Sequence, residues 1–349
     1  MTDPAVTGSA TRRPRAYIGS FTAAGGPGLV TADRDPATGA LTLTGASDDL
    51  PDPSYLALSA DGEVLYAVSE TTRGAVAAYR VAGDRPVLLG PPVPVGGSGP
   101  THLSLFAGRV LTANYSSGSV SALRIRPDGA LRRAPAAVLA HSGSGPSGPR
   151  QQGPHAHQVQ ADPGGRWAVS VDLGTDSVRV CAVEEDGLRL HREVKLRPGS
   201  GPRHLAFHPD GDRAYVLNEL TPTVTVCRWK APEGLLEPLC ELGVLEGAAE
   251  GDAYPSGVVA SADGRFVWTA TRGADLISVF AVDGETLRLR GTVPCGGHWP
   301  RALTARGRFL YVANERSGDV TWFATDPVTG LPERRGSVRV AAASCVALG

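Results

Sequence analysis

Charged and titratable side chains recur at two kinds of position in this 349-residue sequence. One follows a proline at the start of an apolar segment, and the other follows a short β-rich segment that ends in a small polar residue. Four of the eight histidines occupy positions of the first kind, where chance would scatter them. Histidine and glutamate move protons near neutral pH, and arginine binds carboxylate or phosphate bidentately. These residue types therefore predict acid–base chemistry on an anionic, oxygen-rich small molecule.

Four of these residues are the candidates for the chemistry itself. Arg203 and Arg272 are suited to clamping an anion, and Glu219 and His155 to activating water. Which of His155 and Glu219 is the base stays open, and Glu219 has the alternative role of a counter-ion to Arg203. The other predicted substrate-binding residues are His102, His157, His204, Arg301, Glu70, Tyr115 and Glu315.

Several familiar reaction types have no motif in this sequence. There is no G-x-S-x-G elbow, P-loop, Rossmann fingerprint or HExxH motif, so acyl-enzyme, nucleotide and zincin mechanisms lack support. His155 and His157 could share a face and hold a metal ion with a nearby carboxylate, but two histidines without a third ligand motif are a weak signal. We therefore predict no metal site.

The positions that carry these side chains repeat along the chain. Seven short segments have the same pattern and follow one another at intervals of 43 to 58 residues, the length of a propeller blade. Each is preceded by a turn and an apolar segment and followed by two more strand-like segments, so a repeat has four strands. The seven segments are YIGS (17–20), YAVS (66–69), LTAN (111–114), VSVD (169–172), YVLN (215–218), WTAT (268–271) and YVAN (311–314).

The two ends of the chain fit a closed ring. The first repeat begins at its second strand, Ala16–Phe21, and the last residues, Ser344–Leu348, resemble a lone first strand. Pairing the two would remove exposed sheet edges. We predict an all-β, seven-bladed propeller with four antiparallel strands per blade, a single domain over residues 15–349 after a disordered leader at 1–14. The first two strands of each predicted blade form a hairpin. In a hairpin the start of the first strand and the end of the second lie at the same edge, so the candidate residues should share one mouth of the channel.

Other recurring residues are predicted to be structural. Cys181 and Cys227 occupy equivalent third-strand positions, which is typical of core packing. Asp172, Asp176 and Asp275 are expected to accept backbone hydrogen bonds in tight turns. The recurring aromatic residues of the second strands are expected to fill layers between blades; they are Tyr66, Tyr215, Trp268 and Tyr311.

Composition limits the partners and the compartment. The chain carries 34 basic and 35 acidic residues, a formal charge of −1, which argues against a nucleic-acid binder. No apolar window is long enough for a membrane helix. The five cysteines are widely spaced without a CxxC pair, and residues 2–15 lack the apolar core of a secretory signal. We expect a cytoplasmic protein, monomeric or homodimeric, with no nucleic-acid or membrane partner.

Several longer strings resemble a known family. The segments RQQGPHAHQVQADPGGRW (150–167), DLGTDSV (172–178), GPRHLAFHPDG (201–211), YVLNEL (215–220) and YVANERSGDV (311–320) are similar to the seven-bladed lactonase family. This family comprises the propeller-type 6-phosphogluconolactonases and the fungal 3-carboxy-cis,cis-muconate lactonising enzymes. The resemblance extends from Tyr17 to Leu348, with Glu70 and Glu315 in sequence contexts that depart slightly from the family pattern.

The resemblance implies an active-site set of His155, Arg203, Glu219 and Arg272 and no cofactor. It implies hydrolysis of 6-phosphogluconolactone or a related anionic lactone. A muconate-type lactonising cyclase or isomerase, including one used in specialised metabolism, is the alternative on the same scaffold. A third interpretation is a non-catalytic interaction platform, which predicts large patches on the faces and a degenerate mouth, whereas this mouth is predicted to be rich in His, Arg and Glu.

Overall fold

The structure is a computed structural model that describes residues 14–133, 136–185, 187–247 and 251–349. The predicted disordered leader falls, except for Pro14, outside the described residues and stays a prediction. Within these ranges the chain forms 29 strands and four short 3-10 helices, at Thr22–Ala24, Gly148–Gln151, Leu173–Thr175 and Ala231–Glu233.

The strands follow the predicted fourfold repeat. In chain order they are β1 (Arg15–Ser20), β2 (Leu29–Arg34), β3 (Leu41–Ser47), β4 (Leu56–Leu58), β5 (Val64–Ser69), β6 (Ala75–Arg80), β7 (Val87–Leu88), β8 (Val93–Pro94), β9 (Pro100–Phe106), β10 (Arg109–Asn114), β11 (Ser119–Arg124), β12 (Ala137–Ala140), β13 (Ala156–Ala161), β14 (Trp167–Asp172), β15 (Ser177–Glu184), β16 (Gly187–Lys195), β17 (Pro202–Phe207), β18 (Arg213–Asn218), β19 (Thr223–Lys230), β20 (Leu235–Gly243), β21 (Tyr254–Ala260), β22 (Phe266–Arg272), β23 (Leu276–Asp283), β24 (Thr286–Pro294), β25 (Pro300–Arg306), β26 (Phe309–Asn314), β27 (Asp319–Thr325), β28 (Pro332–Arg339) and β29 (Ala343–Leu348).

These strands form seven antiparallel sheets, which we number as blades 1 to 7 from the blade that contains β1. Six sheets have four strands, and in blade 2 both β7 and β8 pair with β6. The innermost strands, β29, β4, β9, β13, β17, β21 and β25, each contact the next one around a closed ring. The seven-bladed all-β architecture predicted from the repeat is confirmed.

The ring closes as the sequence predicts. Strand β29 pairs antiparallel with β1, with Ala16 opposite Leu348 and Ile18 opposite Val346. The last strand of the chain is thus the innermost strand of the first blade, so no blade is left with an open inner edge. In the described residues no helix is long and apolar enough to cross a membrane.

The described residues build a separate hydrophobic core at each of the seven contacts between neighbouring blades. The predicted aromatic layers are confirmed, because Tyr66, Tyr215, Trp268 and Tyr311 lie in four of these cores, at most 3% exposed. Cys181 and Cys227 lie in two others, as predicted. The sequence pattern that repeats per blade is therefore the pattern of blade-to-blade packing.

Polar atoms of some of these aromatic residues bond one blade to the next. The Tyr66 hydroxyl donates to the Gly129 carbonyl at 2.8 Å and that of Tyr311 to Gly39 at 2.9 Å, each in the following blade. Both glycines have positive φ, 85° and 75°. A Cβ on Gly39 would also lie 2.6 Å from the Phe309 ring, so this loop position is suited to glycine by conformation and by space.

A β-bulge recurs where the innermost strand of a blade begins. In blade 5, Pro202 pairs with Asn218 and His204 with Leu217, which leaves Arg203 unpaired on the bulge. The same register shift leaves His157 and Arg301 unpaired in blades 4 and 7. Bulges redirect side chains and are frequent beside active sites. Three of the predicted site residues therefore occupy structurally equivalent positions that have no paired residue on the neighbouring strand.

Candidate active site

The predicted convergence at one end of the channel rests on a repeated backbone hydrogen bond. In six blades the residue after the second strand donates its N–H to a carbonyl just before the innermost strand of the same blade. Glu219 bonds to Gly201 at 2.7 Å, Tyr115 to Gly99 at 2.8 Å and Glu315 to Trp299 at 3.0 Å. We call this end of the channel the mouth. It brings together residues from the innermost and second strands of several blades.

The structure corrects one detail of the repeat. Pro154 is not equivalent to the other prolines, because it is Ala156 that pairs with Asp172 as Pro202 pairs with Asn218. His155 therefore precedes β13 and is not part of the innermost strand. The preceding 3-10 helix and the extra residues before β13 shift the proline out of register, which a pattern of proline spacing does not reveal.

Glu219 is the centre of a cluster with three arginines, which we call the basic cluster. Its Oε2 accepts from Arg272 Nη2 at 2.6 Å and lies 3.0 Å from Arg203 Nε, without hydrogen-bond geometry to that N–H. Its Oε1 accepts from Arg150 Nη2 at 2.5 Å. The side chains of Arg203, Arg272 and Glu219 are less than a tenth exposed, whereas that of Arg150 is 42% exposed.

The charges of the basic cluster act strongly on one another. Although burial alone would raise the pKa of Glu219, the charges of Arg272 and Arg203 hold it well below its usual range. Burial and the charge of Arg272 lower the pKa of Arg203 to about 9. At neutral pH Glu219 is therefore a carboxylate of low basicity, and Arg203 is still a cation.

Arg301 forms a second cluster, with two glutamates, which we call the acidic triad. Its Nη1 donates to Glu315 Oε2 at 3.1 Å, and its Nη2 donates to Glu70 Oε1 at 3.4 Å. The guanidinium lies 4.7 Å from the centre of the Phe21 ring. Burial raises the pKa of Glu70, and the Arg301 charge opposes this.

Four aromatic and imidazole rings cross the channel beneath these charges, and we call them the histidine layer. The rings of Tyr55 and His102 lie 4.1 Å apart, those of His102 and His204 5.6 Å, and those of His157 and His204 5.2 Å. Beyond this layer, toward the opposite end of the channel, lies a cavity of about 530 Å³. The layer therefore separates the charged mouth from the rest of the channel.

The histidines of this layer are neutral at physiological pH. Burial and the Arg203 charge lower the pKa of His102 to about 3 and those of His157 and His204 well below the ordinary value. Neutral imidazoles present one N–H donor and one acceptor, and the Nδ1 atoms of His102 and His157 are buried without a hydrogen-bond partner.

Acid should therefore destabilise the protein before its carboxylates titrate. The unfolded chain protonates histidine near pH 6.5, whereas folded His102 stays neutral down to about pH 3, so the unfolded state binds more protons and stability falls as pH falls below 6.5. Each such histidine adds about 1.4 kcal/mol per pH unit to the slope. We expect His102→Gln to flatten the pH dependence of the urea-unfolding free energy between pH 6 and 4.5 by about this increment. His191→Asn, at an exposed ring, is the control; an unchanged slope in His102→Gln would contradict the neutral assignment.

His155 has a defined tautomer. Its Nδ1 lies 3.0 Å from the Tyr115 carbonyl oxygen, which can only accept, so Nδ1 carries the proton and Nε2 the lone pair. The ring stacks on Tyr115 at 4.4 Å, and the backbone N–H of His155 donates to Asp172 Oδ1 at 2.9 Å. The ring and the backbone are thus both held, with Nε2 available as a base.

The predicted turn aspartates are confirmed as structural. Asp172 Oδ1 also accepts from Thr175 N, Asp176 accepts from the N–H groups of Gly199 and Gly201, and Asp275 accepts from Trp299 N. Each carboxylate thereby fixes a loop that borders the mouth.

The mouth and the layer beneath it hold all eleven site residues predicted from the sequence. Sequence reasoning missed Arg150 and Tyr55. Arg150 lies in the quoted string RQQGPHAH but in neither recurring position, so the repeat gave no signal for it.

Among the described residues, one group of three side chains has the distances of a metal site, His208 with Asp210 and Asp212. That group lies in the β17–β18 turn at the opposite end of the blade from the mouth, and neither His155 nor His157 belongs to it.

Comparison with known proteins agrees with this geometry. The family described as "Lactonase, 7-bladed beta-propeller" matches residues 15–348. The chain belongs to this family. The 6-phosphogluconolactonase of Bacillus subtilis (strain 168) is 32% identical over 325 residues, which cover 90% of this chain and 92% of that protein. The 6-phosphogluconolactonase of Formosa agariphila is 30% identical and covers 90% of this chain and 93% of its own length.

One solved structure with the same fold is that of an enzyme named for a related substrate. The periplasmic gluconolactonase of Pseudomonas aeruginosa superposes with a TM-score of 0.90 at 31% identity, covering 97% of this chain and 99% of that one. The relatives thus include enzymes named for a phosphorylated and for an unphosphorylated sugar lactone. For this member of the lactonase family they support a hydrolase that acts on lactones.

Proposed function

We propose that this chain hydrolyses 6-phosphogluconolactone or a closely related anionic sugar lactone at the mouth, by acid–base chemistry that needs no metal ion. The observation that carries the proposal is the pairing of a fixed imidazole lone pair, on His155 Nε2, with a group of three arginines that has a single carboxylate. Two positive charges of this basic cluster are uncompensated, which suits a substrate that brings a dianionic phosphate.

His155 is the proposed base and acid. Its Nε2 removes a proton from a water molecule as the water oxygen attacks the lactone carbonyl carbon, and the carbonyl electron pair moves to oxygen. When the tetrahedral intermediate collapses, the ring C–O bond breaks and the same proton passes from Nε2 to the departing alkoxide oxygen. The product is the open hydroxy acid, and His155 returns to its neutral form.

The arginines supply the electrostatic part of the mechanism. Arg203 is 3% exposed and is held by a hydrogen bond from Nη1 to the Ser256 carbonyl, so it is a fixed charge at the mouth. Fixed donors of this kind stabilise the developing oxyanion. Arg150, whose side chain is 42% exposed, is assigned to the phosphate together with the buried Arg272. Glu219 is assigned as the positioning group that holds the three guanidinium groups together.

The proposal is tested by the rate of lactone hydrolysis compared with the spontaneous rate, with and without a chelator. We expect turnover far above the spontaneous rate that survives chelation. Loss of turnover on addition of the chelator would contradict the metal-independent mechanism. No acceleration by folded protein would contradict the lactonase proposal and redirect the search to cyclisation of muconate-like diacids or to an interaction role.

Arg150→Ala is expected to raise KM for the phosphorylated lactone by about 10-fold or more, since a charge-assisted hydrogen bond contributes about 1.5–3 kcal/mol. The KM for unphosphorylated gluconolactone should change much less, because that substrate has no anionic group to lose. Arg166→Ala is the matched control, at an exposed arginine in the β13–β14 turn away from the mouth. Equal effects of Arg150→Ala on the two substrates would contradict the phosphate assignment.

We also propose a cytoplasmic location and action as a monomer or homodimer, without a nucleic-acid or membrane partner. The support is that all five cysteines are free thiols, which is typical of a reducing compartment. Cell fractionation and light scattering test these points, and recovery from a periplasmic fraction would contradict the first.

A further inference from the structure

The mouth has two halves of opposite charge. In the basic cluster three arginines face one carboxylate, whereas in the acidic triad two carboxylates face one arginine. The halves lie within each other's electrostatic field, since Arg301 lowers and Glu70 raises the pKa of Arg203. A single small molecule bound at the mouth would therefore meet a positive and a negative region.

The acidic triad is a preorganised set of hydrogen-bond acceptors. Arg301 bonds to one oxygen of each glutamate and rests on the Phe21 ring, so both carboxylates are held on either side of a fixed guanidinium. Glu70 Oε2 is buried; the buried Ser54 hydroxyl lies near this carboxylate and lowers its pKa, but neither Glu70 Oε2 nor Ser54 Oγ has a partner in good hydrogen-bond geometry. An ionised carboxylate can only accept, so an O–H group is the kind of partner that completes this set.

The same arrangement opposes a second acidic group on the ligand. The charges of Arg301 and Arg203 favour the ionised form of Glu70 against the effect of burial, and in that form a ligand carboxylate placed here would face an uncompensated negative charge, which disfavours its binding. Hydroxyl groups, by contrast, donate to the carboxylates and accept from Arg301. The mouth thus differs from one built for a polycarboxylate, which would need cations on both sides.

We propose that Glu70, Arg301 and Glu315 form a hydroxyl-recognition subsite that selects polyhydroxylated ligands with an anionic group at one end only and excludes polycarboxylates. The inference rests on the proposed function in placing the anionic end of the ligand on the basic cluster. It adds the substrate class, because it assigns the sugar hydroxyl end to the opposite side of the mouth and makes muconate-type acids poor ligands.

Titration calorimetry with three probes tests the subsite: glucose 6-phosphate, inorganic phosphate and propane-1,2,3-tricarboxylate. We expect the wild type to bind the sugar phosphate at least about 10-fold more tightly than phosphate alone, and to bind the tricarboxylate weakly. Glu315→Gln, which leaves Glu70 to pair with Arg301, should tighten tricarboxylate binding by about 5-fold or more and reduce the advantage of the sugar phosphate over phosphate. Glu70→Gln should act in the same direction.

Glu333→Gln is the matched control, because it removes the same charge from a 71% exposed side chain on the outer strand β28. Circular dichroism and thermal unfolding verify that each variant is folded. A ratio of tricarboxylate to sugar-phosphate affinity that stays within about twofold of the wild type in both folded variants would overturn the proposal. Should either variant fail to fold, Glu315→Asp and Glu70→Asp provide the second test, since the charge is kept and the exclusion of tricarboxylate must persist while sugar binding weakens.

Failure of the subsite and failure of the proposed function give different results. If the wild type does not accelerate lactone hydrolysis but the affinity ratio shifts as expected, the hydrolase proposal is wrong and the subsite is supported. If hydrolysis is fast but the affinity ratio does not move in the variants, the subsite is wrong and the hydrolase proposal is unaffected.

Discussion

His155→Asn is expected to lower kcat for 6-phosphogluconolactone by about 10²–10⁴-fold, the usual contribution of a general base, with roughly unchanged KM. Asparagine can still donate a hydrogen bond to the Tyr115 carbonyl, so the side chain should stay in place while the Nε2 lone pair is lost. Steady-state kinetics on the variant, corrected for spontaneous hydrolysis, measures the split between kcat and KM.

His191→Asn is the control for this substitution. The His191 ring also stacks on an aromatic neighbour, Trp167, at 4.3 Å and also bonds to a backbone carbonyl, that of Glu233. It lies on β16, an outer strand, and should leave both kinetic constants unchanged. If His155→Asn raised KM and left kcat intact, His155 would be a binding residue, and Glu219 would regain the role of base.

The repeat pattern predicted the fold because each blade buries the same side chains. Tyr66 and Tyr311 occupy the same position in two blades and fill the same kind of inter-blade core. A periodic requirement of this type leaves a periodic signal in the sequence. The closing strand was also predictable, since Ser344–Leu348 has the pattern of an innermost strand without a following partner.

The bulge positions explain which part of the site was visible and which was not. Arg203 and Arg301 follow a proline, so the sequence indicated them. Nothing in the pattern shows that a register shift leaves them without a paired residue on the neighbouring strand. His155 was chosen correctly as a mouth residue, but its equivalence to the other post-proline residues was wrong. The register of β13 against β14 is the same as that of β17 against β18, and it is the proline that differs, because Pro154 lies two residues before the position that Pro202 occupies in blade 5.

Pairing between blades could not be predicted from the repeat. Arg150 comes from the segment between blades 3 and 4, and Arg272 from blade 6, yet both bond to Glu219 of blade 5. Such contacts depend on side-chain length and direction across the channel, which vary from blade to blade. The sequence therefore predicted the residues at the mouth but left their division into a basic cluster and an acidic triad open.

Glu219→Gln is expected to reduce the free energy of unfolding by about 3–5 kcal/mol, the usual cost of removing one partner of a buried ion pair. The substitution leaves Arg203 and Arg272, both nearly buried, without their carboxylate. The pKa of Glu219 is held well below its usual range, so its contribution to stability is present above pH 4.5 and is lost as pH falls below that value. Urea unfolding at pH 7 should show the lower free energy of unfolding of the variant. Repeated at decreasing pH, it should show that the variant lacks the decrease in stability that protonation of Glu219 causes in the wild type.

Inorganic phosphate should then stabilise Glu219→Gln more than it stabilises the wild type, because the anion replaces the missing negative charge between the guanidinium groups. A ligand present at 100 times its dissociation constant adds about 2.7 kcal/mol. Glu241→Gln is the control, since Glu241 pairs with the half-exposed Arg197 and exposed pairs contribute at most about 1 kcal/mol. A variant that is as stable as the wild type, gains nothing from phosphate and has lost kcat as fully as His155→Asn would make Glu219 the base and not the group that holds the arginines. Retained partial turnover together with rescue by phosphate would instead establish that Glu219 acts through the arginines it positions.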